Sequence, residues 1–136
     1  MKTSEIIEKI RRLLGNRTEL AFAYVHGSAI DRERPRDIDL AVYLNEEALA
    51  RYGDGRSVSL DFSIPLELQL EAEIGMAVDV QVLNGAPLSF RARVISQGRV
   101  LIDRDPAARA EFECRSRYEY FDFRPRRQEY LAEAMA

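Results

Sequence analysis

Residues 37–44 read Asp-Ile-Asp-Leu-Ala-Val-Tyr-Leu, with Ile38, Leu40, Val42 and Leu44 alternating with Asp37, Asp39, Ala41 and Tyr43. Successive side chains of a strand point to opposite faces, so this period of two predicts a strand with one wholly apolar face. Such a face has to be covered, which calls for helices packed against a sheet. The same alternation puts Asp37 and Asp39 side by side on the other face. A second alternation follows at Val78, Val80 and Val82, with Asp79 and Gln81 between them. The continuous apolar run Leu20-Ala21-Phe22-Ala23-Tyr24-Val25 suits a buried strand, and Val100-Leu101-Ile102 gives a short fourth.

Helical signals separate these strands. Ile6, Ile7, Ile10, Leu13 and Leu14 carry helical spacing, with Thr3 or Ser4 as N-cap and Gly15 as the stop. Residues 45–52 allow a short helix, which Gly53-Asp54-Gly55 breaks. Leu66 to Ile74 reads as a helix with Pro65 in its first turn, and Leu88 to Gln97 as another ending at Gly98. Residues 29–36 read as a loop or a short exposed helix. Asp105-Pro106 opens a long helix to about Phe121, after which Pro125 is expected to kink the chain or start a final helix ending near Ala134. The element order is that of an α/β protein with a small sheet. The length of 136 residues predicts a single domain over 1–136.

Composition narrows the function classes. Twenty basic residues against 23 acidic ones give a net charge of −3, so no overall electrostatic pull toward nucleic acid is expected. Cys114 is the only cysteine, which excludes an intramolecular disulfide; its helical, aromatic surroundings predict an inert packing residue. No apolar run reaches the roughly 18 residues that a membrane-spanning helix needs. The charged, amphipathic start MKTSEIIEKI is not a secretory signal, so a cytoplasmic protein is expected.

The chemistry concentrates in Gly27-Ser28 and Asp37-Ile38-Asp39. A glycine at a strand end lets backbone N–H groups approach an anion, and the serine adds a hydroxyl donor, so the pair suits a phosphate. Adjacent carboxylates repel unless a cation lies between them, and their oxygens suit Mg²⁺, which also takes substrate phosphates. Asp79, on a neighbouring strand, is predicted to join Asp37 and Asp39 on one face. Three such carboxylates suit two-metal phosphoryl transfer, with Asp79 binding the second metal or deprotonating the acceptor. His26, the only histidine, is expected to face away or to hydrogen-bond locally. Arg32, Arg34 and Arg36 read either as phosphate contacts or as a solvated charge run.

Gly27-Ser28, an eight-residue spacer, Asp37-Ile38-Asp39-Leu40 and then Asp79 together resemble the DNA-polymerase-β-like nucleotidyltransferase superfamily. The short chain is similar, within it, to the minimal nucleotidyltransferases, the MNT antitoxins of HEPN/MNT pairs. The resemblance implies a small mixed β-sheet with flanking helices. It implies Asp37, Asp39 and Asp79 as catalytic metal ligands, Gly27 and Ser28 as the nucleotide-binding pair, Mg²⁺ as cofactor and ATP as substrate. It further implies transfer of AMP to a tyrosine hydroxyl of a HEPN-domain toxin. Two alternatives stay open: a non-catalytic module that masks its partner, and an adenylyltransferase acting on a small molecule, with a homo-oligomer building the acceptor cleft. Phe112, Tyr118, Tyr120, Phe121, Phe123 and Tyr130, interleaved with Arg115, Arg117, Arg124, Arg126 and Arg127, read either as a helix packed on the sheet or as a partner contact.

Overall fold

The alternating segment forms an inner strand of a four-stranded sheet. The computed structural model describes residues 1–135, with side chains as far as Phe121. Its elements run α1 (Thr3–Leu14), β1 (Leu20–His26), a 3-10 turn (Ser28–Asp31), β2 (Asp37–Leu44), α2 (Glu46–Tyr52), α3 (Gly55–Val58) and a π-helical turn (Ser59–Ser63). They continue with α4 (Ile64–Ile74), β3 (Ala77–Val82), α5 (Leu88–Gln97), β4 (Arg99–Asp103) and α6 (Pro106–Met135). The strand order is β3-β2-β1-β4. β1 pairs antiparallel with β2 and β4, whereas β2 and β3 are parallel. A parallel pair needs a long crossover, which residues 45–76 supply. The sheet is therefore mixed, with flanking helices.

One face carries Ile38, Leu40, Val42 and Leu44 and is sealed by α1, through Ile6, Ile10 and Leu14, and by the α3–α4 segment. β1 is buried along its whole length. Leu20 and Ala23 belong to the same core layer, which a strict period of two forbids. The register advances two residues on β1, from Leu20 to Phe22, while β2 moves one, from Leu44 to Tyr43. This bulge absorbs Ala21 and turns Phe22, Tyr24 and His26 onto the face that carries Asp39.

That second face is divided. At one end Phe22 stacks on Tyr43 at 4.6 Å, and Phe112 of α6 leans on both at 5.4 and 5.2 Å. The Tyr24 hydroxyl donates to Glu113 Oε1 at 2.7 Å, and Arg109 joins Glu113 to Asp103. Burial first, and Glu113 second, push the Tyr24 hydroxyl well above the usual phenol range. Arg91 of α5 reaches Ser116 and Glu119 of α6. These contacts fix α5 and α6 over half of the face and leave the end bearing Asp39 to a cavity.

Several local predictions need correction. Neither Thr3 nor Ser4 caps α1, whose N-cap is Lys2. The Thr3 hydroxyl instead donates to the carbonyls of Arg32 and Glu33, pinning the loop before β2. Asp54, inside the predicted break, caps a new helix by accepting from the Ser57 N–H. That helix, α3, leads through the π turn into α4, where Pro65 stands in the first turn as expected. Proline clashes with the carbonyl four residues earlier, and the wider π turn immediately before it opens room. The π turn has a second effect. Val58, Phe62, Leu66, Leu70 and Ile74 are buried at intervals of four, and each such step drifts about 40° on a regular α-helix. A π turn absorbs part of that drift and keeps the row on the sheet. Pro125 does not end α6, which continues to Met135. Phe112 packs on the sheet, whereas Tyr118 and Phe121 are exposed; the side chains of Phe123, Arg124, Arg126, Arg127 and Tyr130 lie outside the described residues. Cys114 is exposed and not a packing residue, because it falls on the outer side of α6.

β3 is an edge strand whose outward N–H groups would otherwise face open surface. Glu71 Oε1 accepts from Val78 N–H at 3.0 Å and Glu67 Oε1 from Val80 N–H at 2.8 Å. Losing one acceptor leaves a half-buried donor unpaired. Glu67→Ala and Glu71→Ala are each expected to lower unfolding free energy by about 1 kcal/mol in urea denaturation, with Glu67→Gln costing less because it keeps an acceptor oxygen.

Candidate active site

β1 ends at His26, and the chain turns at Gly27 with φ 79° and ψ −165°. That conformation favours glycine, and a Cβ here would overlap Asp39 Oδ2 and lie 3.2 Å from Asp39 Cγ. The backbone of Gly27 therefore packs directly on the Asp39 carboxylate. Ser28 follows as the exposed first residue of the 3-10 turn.

The register places His26 beside Asp39 and Asp39 beside Asp79. Three side chains thus form a row across β1, β2 and β3 on one face. Opposed residues of neighbouring strands hold their Cβ atoms about 4.5–5.5 Å apart. Asp37 is paired with Ala77, one step nearer the rim on the same face, and is exposed. Gln81 Nε2 donates to Asp79 Oδ2 at 3.0 Å. A cavity of about 360 Å³ covers the row, lined by His26, Gly27, Asp39, Asp79, Gln81, Phe90, Arg93 and Gln97. Of the predicted residues, the structure gathers Gly27, Asp39 and Asp79 around this cavity. Asp37 and Ser28 stand at its margin, and Arg32, Arg34 and Arg36 are exposed on the adjoining loop.

His26 does not face away. It is buried, its ring meets Phe90 edge-on at 5.6 Å, and Nε2 has no hydrogen-bond partner among the described residues. Burial holds its pKa below the usual imidazole value, opposed by Asp39 and reinforced by Arg93. Burial holds the Asp39 carboxyl above its ordinary value, against the pull of His26 and with repulsion from Asp37 and Asp79. The site thus concentrates negative charge that Arg93 offsets only in part. Among the described residues, no three histidine, cysteine or carboxylate side chains converge closely enough to hold a cation unaided. Mg²⁺ does not require such a cage, since one or two carboxylates suffice when phosphates and waters complete the shell. Asp37 and Asp39 fit that role.

The family described as "Polymerase beta, Nucleotidyltransferase" matches residues 8–107. This chain belongs to the polymerase-β nucleotidyltransferase family. The match spans every strand and the whole row of site residues. Among solved structures, the chain is similar to a tri-AMPylated Shewanella oneidensis HEPN toxin in complex with MNT antitoxin, at 22% identity, covering 98% of this chain and 99% of that one, with a TM-score of 0.72. It is also similar to a toxin–antitoxin with AMP-PNP, at 24% identity over 96% and 98% of the chains and a TM-score of 0.71. The toxin–antitoxin MntA–HepT matches at 22% identity over 98% and 99%, with a TM-score of 0.70. At these identities the likeness establishes the nucleotidyltransferase fold. No curated protein matches the sequence. Among the described residues no helix is long and apolar enough to cross a membrane.

Sequence reasoning missed Gln81, Phe90, Arg93 and Gln97 and misplaced His26. Phe90, Arg93 and Gln97 stand at helical spacings of three and seven on α5, which is a usable signal. Nothing in the sequence says which sheet face α5 covers.

Two outcomes follow. Gly27→Ala is expected to cost about 1–3 kcal/mol of stability in urea unfolding, from backbone strain and displacement of Asp39. The second concerns pH. A carboxyl with a raised folded-state pKa binds its proton more tightly when folded, so stability falls as pH rises from the ordinary value of 3.8 through the raised one. In metal-free buffer, Asp39→Asn is expected to melt above the parent at pH 7, and that gain is expected to vanish below 3.8, where both forms are uncharged.

Proposed function

We propose that this chain, acting as a single minimal nucleotidyltransferase domain in the cytoplasm, transfers AMP from ATP to a tyrosine hydroxyl of a HEPN-type partner protein and serves as its antitoxin. The observation that carries the reading is the row His26–Asp39–Asp79, with the backbone of Gly27 seated on Asp39, in a polymerase-β nucleotidyltransferase. The partner and the acceptor are supported by the similarity, over nearly the full length of both chains, to an antitoxin solved with its AMP-modified HEPN toxin.

Each residue then has a task. Asp37 and Asp39 hold Mg²⁺, which supplies charge neutralisation at the phosphate oxygens when bound. The backbone at Gly27 and the N–H and hydroxyl of Ser28 hold the terminal phosphates. Arg93, the cation lining the cavity, offsets charge on the departing pyrophosphate. Asp79, kept oriented by Gln81, receives the proton of the acceptor hydroxyl. The acceptor oxygen bonds to the α-phosphorus, the bond from that phosphorus to the bridging oxygen breaks, and pyrophosphate leaves. Positioning and fixed charge supply most of the acceleration.

The test is incubation with α-labelled ATP, Mg²⁺ and the HEPN-type protein of the same host. The parent is expected to label that protein, and Asp39→Asn is expected to lose about 10²–10³-fold in rate. Chelation is expected to abolish labelling. Full activity of Asp39→Asn would remove the site assignment, and label appearing only in a small molecule would replace the protein acceptor.

A further inference from the structure

A second, larger cleft of about 650 Å³ opens beside the carboxylate cavity, between β3 and the α3–α4 segment. The two share Gln81 and Phe90. This cleft therefore reaches the side chain that holds Asp79.

Beside it runs a row of exposed apolar side chains. Leu60, Ile64 and Leu68 are 55%, 44% and 62% exposed, and Ile64 also lines the cleft. Their spacing of four puts them on one helix face. The opposite face of the same helix is already buried on the sheet. A helix with apolar rows on both faces belongs between two surfaces, and this one meets the sheet and α1 on its inner side while the outer row stays exposed. The formal charge of the segment that carries the row is one-sided. Residues 53–75 hold five acidic side chains (Asp54, Asp61, Glu67, Glu71, Glu73) against Arg56, a net −4 in a chain whose total is −3.

We infer that this ledge is the docking surface for the acceptor protein. The occupant is a basic partner surface whose apolar side chains cover Leu60, Ile64 and Leu68. Its acceptor residue reaches along the cleft, past Gln81, to Asp79. The negative field repels a triphosphate or a nucleic acid backbone, so the nucleotide enters from the side of Gly27 and Arg93. The inference rests on transfer to a protein hydroxyl and adds where that protein binds.

The test titrates the HEPN-type protein of the same host into the labelling reaction, with ATP binding measured in parallel. Leu60→Asp combined with Leu68→Asp is expected to raise the half-saturating partner concentration by about tenfold or more, leaving ATP binding and the melting temperature unchanged. Leu68→Ser alone gives a smaller shift in the same direction and serves if the double variant loses its fold. Asp61→Arg is expected to weaken the partner and to reduce the salt dependence of labelling. Tyr118→Ala with Phe121→Ala, on α6, is expected to leave the titration unchanged. Ledge variants that label like the parent overturn the docking surface and leave the transfer reading standing. A parent that binds ATP but labels no protein removes both. A parent dimer that the ledge variants dissociate with labelling intact makes the row a self-association face and overturns the proposal.

Discussion

The contact between the Gly27 backbone and the Asp39 carboxylate is the constraint from which the site is built. It exists only because β1 ends where β2 begins its carboxylates, so the antiparallel register lays the turn over Asp39. Any side chain at residue 27 would push the two apart. Holding them together leaves Asp39 partly buried beside Asp79 and near Asp37, an arrangement in which burial and like-charge repulsion disfavour the ionised carboxylate. The remainder of the fold sustains that arrangement. The face behind Asp39 is sealed by α1 and α4, and the face in front is half closed by an aromatic cluster and the Tyr24–Glu113–Arg109–Asp103 chain.

That division of one face is what makes a site instead of a second core. Phe22, Tyr43 and Phe112 fill the far end, and polar ties between α5 and α6 stop those helices from sliding over the near end. The bulge at Ala21 sets the phase that puts Phe22, Tyr24 and His26 on that face. Without it, the apolar rows of β1 would present the wrong side chains to each layer. His26 is then carried into the row with Asp39, buried and with one ring nitrogen unpaired among the described residues.

The alternating segments made two of the four strands and the carboxylate positions legible from residues alone, and apolar runs marked the other two. Alternation reports which side chains share a face, and Asp37, Asp39 and Asp79 follow from it. The sequence could not report how strands pair or which helix covers which face. His26 was misplaced for that reason: its strand is apolar on both sides, so no contrast marks the side facing the carboxylates. Arg93 and Gln97 were missed because a helix of ordinary amphipathicity looks the same over either face. Pro65 was read correctly as a first-turn proline, whereas Pro125 suggested a helix end because proline marks a lost hydrogen bond and a clash. A π turn precedes the first proline, and α6 continues past the second to Met135. The exposed row on α4 was invisible for a related cause, since apolar residues on both faces of a helix carry no amphipathic signal.

The order of the strands also bears on the chemistry. In phosphoryl transfer the attacking and leaving oxygens lie roughly in line through the phosphorus. An acceptor and a pyrophosphate must therefore approach Asp39 from opposite sides. The sheet provides those two sides as neighbouring strands. β3, with Asp79 and the acidic ledge, flanks β2 on one edge, while β1, with Gly27 and Ser28, flanks it on the other. Arg93 and Gln97 of α5 line the same cavity as Gly27, and Glu67 of α4 lines the cleft beyond Gln81. Positive charge thus lies within the cavity that would release pyrophosphate, and negative charge lies along the path by which a basic partner would deliver its hydroxyl. A parallel β2–β3 pair is what permits this, because its crossover helix has to pass the edge of β3 and brings the acidic, doubly apolar α4 with it.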